Sequence, residues 1–256
     1  MLSIRWHTCP MDTPTAPTAP RTARARARVE LTREIKDTAR RQLETDGAAS
    51  ISLRAVAREL GMVSSALYRY FASRDDLLTA LIVDAYGSIG EVAERASADA
   101  VASGADHGRR WLLVCRAVRS WALAHPQEWA LVYGSPLVGY EAPQDTVEPA
   151  ARIAVALASI ATDARDAGAL HPPHERVLGR WVTEPVAELT GGRDARDPQD
   201  LAERALSMWI LLIGTINFEL FGHLHNVVTD HARYFDAAMT LAAETIGLDA
   251  TLDDPT

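Results

Sequence analysis

The chain lacks most of what covalent chemistry and secretion require. Its 256 residues include only two cysteines, Cys9 and Cys115, far apart and in no CxxC pair. That excludes a disulfide framework and a cysteine-built zinc site. Cys115 lies in an apolar stretch, and the pattern is that of a reduced protein with one buried thiol. The start, "MLSIRWHTCP", has no apolar run of the length a secretory signal needs. The most apolar stretch, "MWILLIGTINFELFG" (208–222), is broken by Asn217 and Glu219 and reads as too short to span a bilayer. A cytoplasmic protein with no membrane association is the expectation. Glycine fingerprints of the GxGxxG, Walker A and GxSxG types are missing, and no nucleophile–base pair is evident. "HLH" (223–225) with His231 offers neighbours at i,i+2 that point to different sides of a helix, and no carboxylate or cysteine completes a ligand set. No metal, no cofactor and no enzymatic activity are therefore expected, a helical enzyme being the remote alternative. Period-two alternation of any length is absent too, as is an internal repeat, so the fold is expected to be all-α.

Aromatics are scarce, 16 of 256 residues, yet three of them fall within four positions of "GMVSSALYRYF" (61–71). Charge is also unevenly placed. Residues 1–80 hold 13 Lys+Arg against 9 Asp+Glu, a surplus of four; with the whole chain at −8, the remainder stands at −12. Such asymmetry predicts a polyanion-facing head on an acidic body.

Residues 1–28 are Pro/Thr/Ala-rich and then Arg-rich, which predicts a disordered tail; Met11 is an alternative start to Met1. Arg24, Arg26 and Arg28 in this tail leave two readings open, contact with phosphate or a minor groove, and a solvated leader. From Val29 on, apolar spacing is helical. Leu31, Ile35, Ala39 and Leu43 recur every three to four residues and stop at Gly47. Ser52 caps a helix over 53–60, closed by Gly61, and a short helix follows over roughly 64–70. Ser73 caps a long helix with Asp75 and Asp76 in its first turn, its core stripe running through Leu78, Ile82, Ala85, Ile89, Val92 and Ala96 until Gly104. Further helices are expected at about 107–124, from Pro126, at 145–167, 173–190, 199–225 and 230–247, with loops at 133–143 and 191–198.

Two short helices around the Gly61 turn make a helix-turn-helix over about 52–71. The second of the pair fits a major groove, with its N-terminal residues near base edges. Ser64, Ser65 and Ala66 are small enough for close approach. Leu67 and Phe71, one turn apart, anchor the helix to Ala55, Val56 and Leu60, which leaves Tyr68, Arg69 and Tyr70 for phosphates and base edges. At these residues, "SLRAVARELGMVSSALYRYFASRDDLLTALI" (52–82) resembles the DNA-binding head of the tetracycline-repressor (TetR) family, through Ser52, Ala57, Gly61, the 67–71 cluster, Ser73-Arg74 and Leu77. The resemblance covers about residues 29–89. It implies phosphate contacts from Ser52, Arg54 and Arg74, a groove-facing Ser64-Ser65-Ala66, and phosphate or thymine-methyl contacts from Tyr68 and Tyr70. Val63 departs from the family's habit of a hydroxyl two residues after the turn glycine. "HPQEWALVYGSPLVGYEAP" resembles one subgroup's C-terminal domain.

The family implies that residues 90–250 form a helical regulatory and dimerisation domain. Two heads are needed to specify a site, and the last two helices carry apolar stripes suited to a four-helix interface: Leu206, Ile210, Ile213, Asn217, Leu220 and Leu224, then Phe235, Met239, Ala242 and Ile246. Asn217 is either a register-setting group across the dimer or a satisfied core amide. A pocket for a small apolar or aromatic effector is expected, with Trp111, Trp121, Trp129, Tyr133, Trp181 and Phe218 as candidate walls; tryptophans at helical spacing equally suit ordinary core. The whole predicts a homodimeric, ligand-responsive repressor on a palindromic double-stranded DNA operator. The alternatives are an effector-independent DNA-binding dimer and an activator.

Overall fold

The computed structural model describes residues 23–171, 181–188 and 201–251. Among them every regular element is helical: α1 (Ala23–Asp46), α2 (Leu53–Glu59), α3 (Ser64–Leu67), α4 (Arg74–Ala102), α5 (His107–Ala124), α6 (Pro126–Tyr133), α7 (Val147–Asp166), α8 (Glu184–Ala187), α9 (Leu201–Leu220) and α10 (His231–Ile246), with single 3-10 turns at Ala48–Ser50 and Gln144–Thr146. The all-α expectation holds. The helix expected over 173–190 and the loop over 191–198 lie largely outside the described residues, α8 being the described part of the former.

One boundary moves. The helix expected from Val29 begins at Ala23, inside the stretch read as tail. Alternating alanine and arginine carry no apolar period, yet both are among the strongest helix formers, and they simply extend the amphipathic run that follows. Arg28 fixes this extension in place: its guanidinium lies over the Tyr70 ring, 5.1 Å from the centroid, and donates to the Arg69 carbonyl at 3.4 Å.

Two hydrophobic clusters organise the chain. The first joins Ile35, Ala39 and Leu43 of α1, Leu53, Val56 and Ala57 of α2, Leu67, Phe71, and Leu77, Leu78, Leu81 and Ile82 of α4. The second is built from α4 to α7 with α9 and α10, and holds Trp111, Trp129 and Cys115 without exposure. Helix α4 runs through both. Its start is fixed by a capping box, Ser73 Oγ accepting from the Asp76 N–H and Asp76 accepting from the Ser73 N–H, both at 3.0 Å. Past Ile89 its buried stripe turns to Ala93, Ser97 and Ala100, leaving Val92 and Ala96 at the margin.

Helix α6 provides a second tie between the clusters. Its Leu131 is buried in the first cluster, and its Glu128 accepts from Arg40 of α1 at 3.0 Å. Asp84 of α4 receives both Arg40 and Lys36. Body helices are pinned by the forked pairs Arg119–Glu219 and Arg116–Asp236.

Helix α9 spans 20 residues, and an 18-residue window of it has a mean hydropathy of 1.3, long and apolar enough to cross a membrane by length and composition, contrary to the shorter span read from the sequence. Half of that window is buried against its own chain, as a core helix requires.

Candidate nucleic-acid interface and effector cavity

The turn between α2 and α3 is set by backbone geometry. Gly61 sits at φ +66°, where an L side chain costs roughly 1–2 kcal/mol, and nothing approaches the place its Cβ would take. The dihedral alone therefore demands glycine. The Met62 N–H donates to Ala57 O at 2.8 Å and the Gly61 N–H to Arg58 O at 3.2 Å, the paired closure of a Schellman turn. At the other end of α2, Ser52 Oγ accepts from the Ala55 N–H at 3.1 Å, which leaves the hydroxyl hydrogen free to donate outward. Helix α3 starts from Val63 with no side-chain cap. Ser64 lies inside the helix and does not supply one. The α-helix also ends at Leu67, the expected last turn continuing as the turns Tyr68–Tyr70.

Leu67 and Phe71 face the interior, and Leu67 is wholly buried. Tyr68 is 46% exposed, Arg69 and Ser65 are exposed, and Ser64, Ala66 and Tyr70 are half-buried. Tyr70 is less free than its neighbours, being packed against the head cluster beneath Arg28. Val63 is 71% exposed, an outward apolar side chain at the tip of the motif.

The head's cations are sorted. Lys36, Arg40 and Arg41 are all engaged with carboxylates: Asp84, then Asp37, Asp84 and Glu128, then Glu59. Arg54, Arg58 and Arg69 are exposed and enter no ion pair among the described residues. Unpaired guanidiniums beside the turn are what phosphate recognition needs. Arg58 was not among the sequence candidates, because its spacing in α2 matched no motif.

Arg74 departs from expectation. Its Nε donates to Ile51 O at 2.9 Å and its Nη2 to Ala48 O at 3.0 Å, so the guanidinium holds the 48–52 connection against the start of α4.

A partly open cavity of about 690 Å3 lies in the body, within the roughly 300–1,000 Å3 of small-molecule sites. Its walls come from Ile82 and Tyr86 of α4, Leu131 and Val132 of α6, the loop residues Leu137 and Tyr140, and facing alanines of α7 and α9, among them Ala150, Ala154, Ala158, Ala202 and Ala205. Alanine on two facing helices leaves the room unfilled. None of the six residues expected to form the pocket lines it. Trp111 donates to Met239 O at 2.9 Å, Trp121 to Ser88 Oγ at 3.0 Å and Trp129 to Asn217 Oδ1 at 2.7 Å, each indole being placed by core packing. Trp181 is 84% exposed and Phe218 is exposed on α9. Tyr133 stands behind the wall, edge-on to Tyr86 and Trp209, which do line it.

The expected dimer stripes also change faces. Phe235, Met239, Ala242 and Ile246, with Ile213 and Leu224, are buried within the single chain. Asn217 is a satisfied core amide, accepting from Trp129 and donating to Tyr133 O at 3.1 Å, and Leu220 packs at the margin of the same core. Of the stripe, Leu206 and Ile210 remain exposed, and Leu206 also borders the cavity. The large apolar residues exposed on α9 and its C-terminal turn are Leu206, Ile210, Leu211, Phe218 and Phe221, and on α10 Tyr234 and Leu241. Both helices are apolar on two sides, so periodicity locates the stripes without saying which one meets its own core.

A capped helix, a Schellman glycine and a short second helix with an outward polar edge define a helix-turn-helix DNA-binding protein, its head carried on a larger helical body. Sequence profiles agree with each part. That of the bacterial regulatory proteins of the tetR family matches residues 35–81, and that of the tetracyclin repressor-like C-terminal domain matches residues 111–242. The HTH-type transcriptional regulators Rv1816 of Mycobacterium tuberculosis (strain ATCC 25618 / H37Rv) and Mb1846 of Mycobacterium bovis (strain ATCC BAA-935 / AF2122/97) are each 38% identical over 244 residues, covering 84% of this chain and 92% of theirs. The crystal structure of SCO4313 is 38% identical and superposes with a TM-score of 0.65 over 86% of this chain and 98% of that one. A protein of unknown function from Rhodococcus sp. RHA1, 24% identical, shares the fold at a TM-score of 0.62, covering 92% of this chain and 100% of that one. The chain belongs to the tetR family of DNA-binding transcriptional regulators, and is not an enzyme.

Proposed function

We propose that the chain acts in the cytoplasm as a homodimeric repressor that reads a palindromic operator and is released by a small, largely apolar effector. One observation carries the DNA contact: Tyr68, Ser65 and Val63 stand outward at the turn beside Arg54, Arg58 and Arg69, which no carboxylate among the described residues claims. In this reading Val63 meets a thymine methyl, Ser64, Ser65 and Ala66 face the groove, Ser52, Arg54, Arg58 and Tyr68 bind phosphate, and Tyr70 with Arg28 supports the helix from behind.

Dimerisation is supported by the apolar residues of α9 and α10 that stand exposed among the described residues. Gly214 in the middle of α9 adds to that support. Glycine there costs about 1 kcal/mol relative to alanine, and among the described residues no other part of the chain lies within 4 Å of a Cβ at that position. A close-packed helix from a second copy would make use of the room.

Coupling runs through elements the cavity and head share. Ile82 lines the cavity and belongs to the head's core, and Tyr140 in the cavity wall hydrogen-bonds Thr79 of α4 at 2.9 Å. An effector that prefers one arrangement of α4 and the 134–143 loop shifts the spacing of the heads by its differential affinity. The test is binding of the dimer to the intergenic DNA beside its own gene, with and without candidate effectors. Binding that ignores sequence and operator symmetry would refute the reading.

A further inference from the structure

The cavity's wall carries a chemical preference. Among the described residues lining it, none bears a charge. Burying an unpaired ion against such a surface is strongly unfavourable, so a carboxylate, phosphate or ammonium group is disfavoured inside. Two polar atoms, one in the wall and one directly behind it, are nevertheless unmatched. The Tyr133 hydroxyl and the Trp209 indole N–H are both shut off from solvent and without a hydrogen-bond partner. They sit together: the two rings meet edge-on at 6.3 Å, and the Tyr133 ring also meets Tyr86, at 5.7 Å. Trp209 and Tyr86 line the cavity, as do Val132 and Gly134 on either side of Tyr133. Burial pushes the Tyr133 phenol far above its ordinary value, so it remains a neutral donor at every physiological pH.

An orphaned buried donor is a standing cost, and phenylalanine would avoid it at Tyr133 with the same packing. The other buried indoles of the body all find acceptors, on Met239 O, Ser88 Oγ and Asn217 Oδ1. Among the described residues other buried atoms also lack a partner, on Gln42 and His231 for example, but Tyr133 and Trp209 are the pair that adjoin one another beside this cavity.

We propose that the effector is a neutral, predominantly apolar molecule bearing a carbonyl-type hydrogen-bond acceptor, and that Tyr133 and Trp209 are the donors that recognise it. This rests on the reading of the cavity as the effector site. Tyr133 meets the cavity-lining Tyr86 and Trp209 edge-on, so those rings must reorient on binding for the acceptor to reach its hydroxyl.

The experiment is displacement of the dye N-phenyl-1-naphthylamine from the full-length protein by two probes of equal chain length, 2-undecanone and undecanoate. The ketone is expected to compete at least tenfold better than the carboxylate. In Tyr133→Phe its affinity falls by about threefold to tenfold, the worth of one net hydrogen bond. Dye affinity stays within about twofold and the ligand-free melting temperature does not fall, since removing an unmatched hydroxyl relieves a cost. Trp209→Phe gives the same selective loss and serves if the first variant misfolds. Equal competition by the carboxylate, a ketone affinity untouched in both variants, or no displacement by the ketone each overturns the proposal. DNA binding is measured on the same preparations. Intact sequence-specific binding with no ketone binding removes the ligand assignment alone, whereas loss of specific binding in the wild type removes the regulator reading beneath it.

Discussion

Replacing Arg74 by alanine separates two roles for a residue at the start of α4. The family resemblance makes it a phosphate clamp. The structure turns two of its donors inward, onto Ile51 O and Ala48 O at 2.9 and 3.0 Å. Hydrogen bonds from a charged donor are worth roughly 1.5–3 kcal/mol each. The side chain is about one-third exposed, so water replaces part of that, and the pair is put at about 2 kcal/mol. For a chain of this size each kcal/mol moves the melting temperature by roughly 2–4 °C, so Arg74→Ala should melt about 4–8 °C lower without DNA. Arg74→Lys keeps the charge but cannot span two carbonyls with a planar fork, and should lose most of the same stability. Operator affinity is then read against salt. A positioning role leaves the slope of log K against log[salt] unchanged in both variants, whereas a lost phosphate contact flattens it by about one unit in Arg74→Ala. An unchanged melting temperature together with the flatter slope would refute the inward role.

Four further outcomes follow from the same contacts. Tyr68→Phe should weaken operator binding by about 1 kcal/mol at fixed salt, measured by fluorescence anisotropy, with no change in melting temperature. The double variant Ile210→Asp/Leu241→Asp places carboxylates on the exposed face of α9 and α10 and should sediment as a folded monomer; a persistent dimer would move the interface elsewhere. Asn217→Ala leaves the Trp129 N–H buried without its acceptor and should cost roughly 1–3 kcal/mol in a denaturant titration. Burial raises the phenols of Tyr133 and Tyr86 above their ordinary value of 10.0. The unfolded chain sheds these protons from about pH 10 while the fold retains them, so stability falls as pH rises beyond that point, by up to about 1.4 kcal/mol per unit for each phenol. Tyr133→Phe should make that alkaline fall shallower.

The helix-turn-helix was legible because its signals are local. A serine cap at Ser52, a glycine with positive φ at Gly61 and a capping box at Ser73 each act within a few residues. Tyr68 likewise reaches the surface because Leu67 and Phe71, on the buried side of the same turn, leave it nowhere else to point. What escaped the sequence depends on contacts between distant segments. Arg28 reaches Tyr70 across 42 positions and Arg74 reaches Ala48 across 26, and no periodicity foretells either. The pocket was sought among large aromatics, which fill space. It lies instead where α7 and α9 oppose alanines, and "ARIAVALASIA" (151–161) carried that signal as an absence of bulk. Phe235, Met239, Ala242 and Ile246 obey a dimer-like spacing, yet the same spacing serves a core face, and Tyr234 and Leu241 one position away are what remain outside.

The central claim is that the segment after Gly61 reads DNA and is presented twice by a symmetric pair of chains. Hydroxyl-radical footprinting of the upstream intergenic region with the wild-type protein tests it most directly. Two protected patches should appear, related by a dyad and separated by about one helical turn, roughly 34–36 Å, and both should fade together in Tyr68→Ala. A single unsymmetrical patch, or protection that survives the Tyr68 change intact, would contradict it.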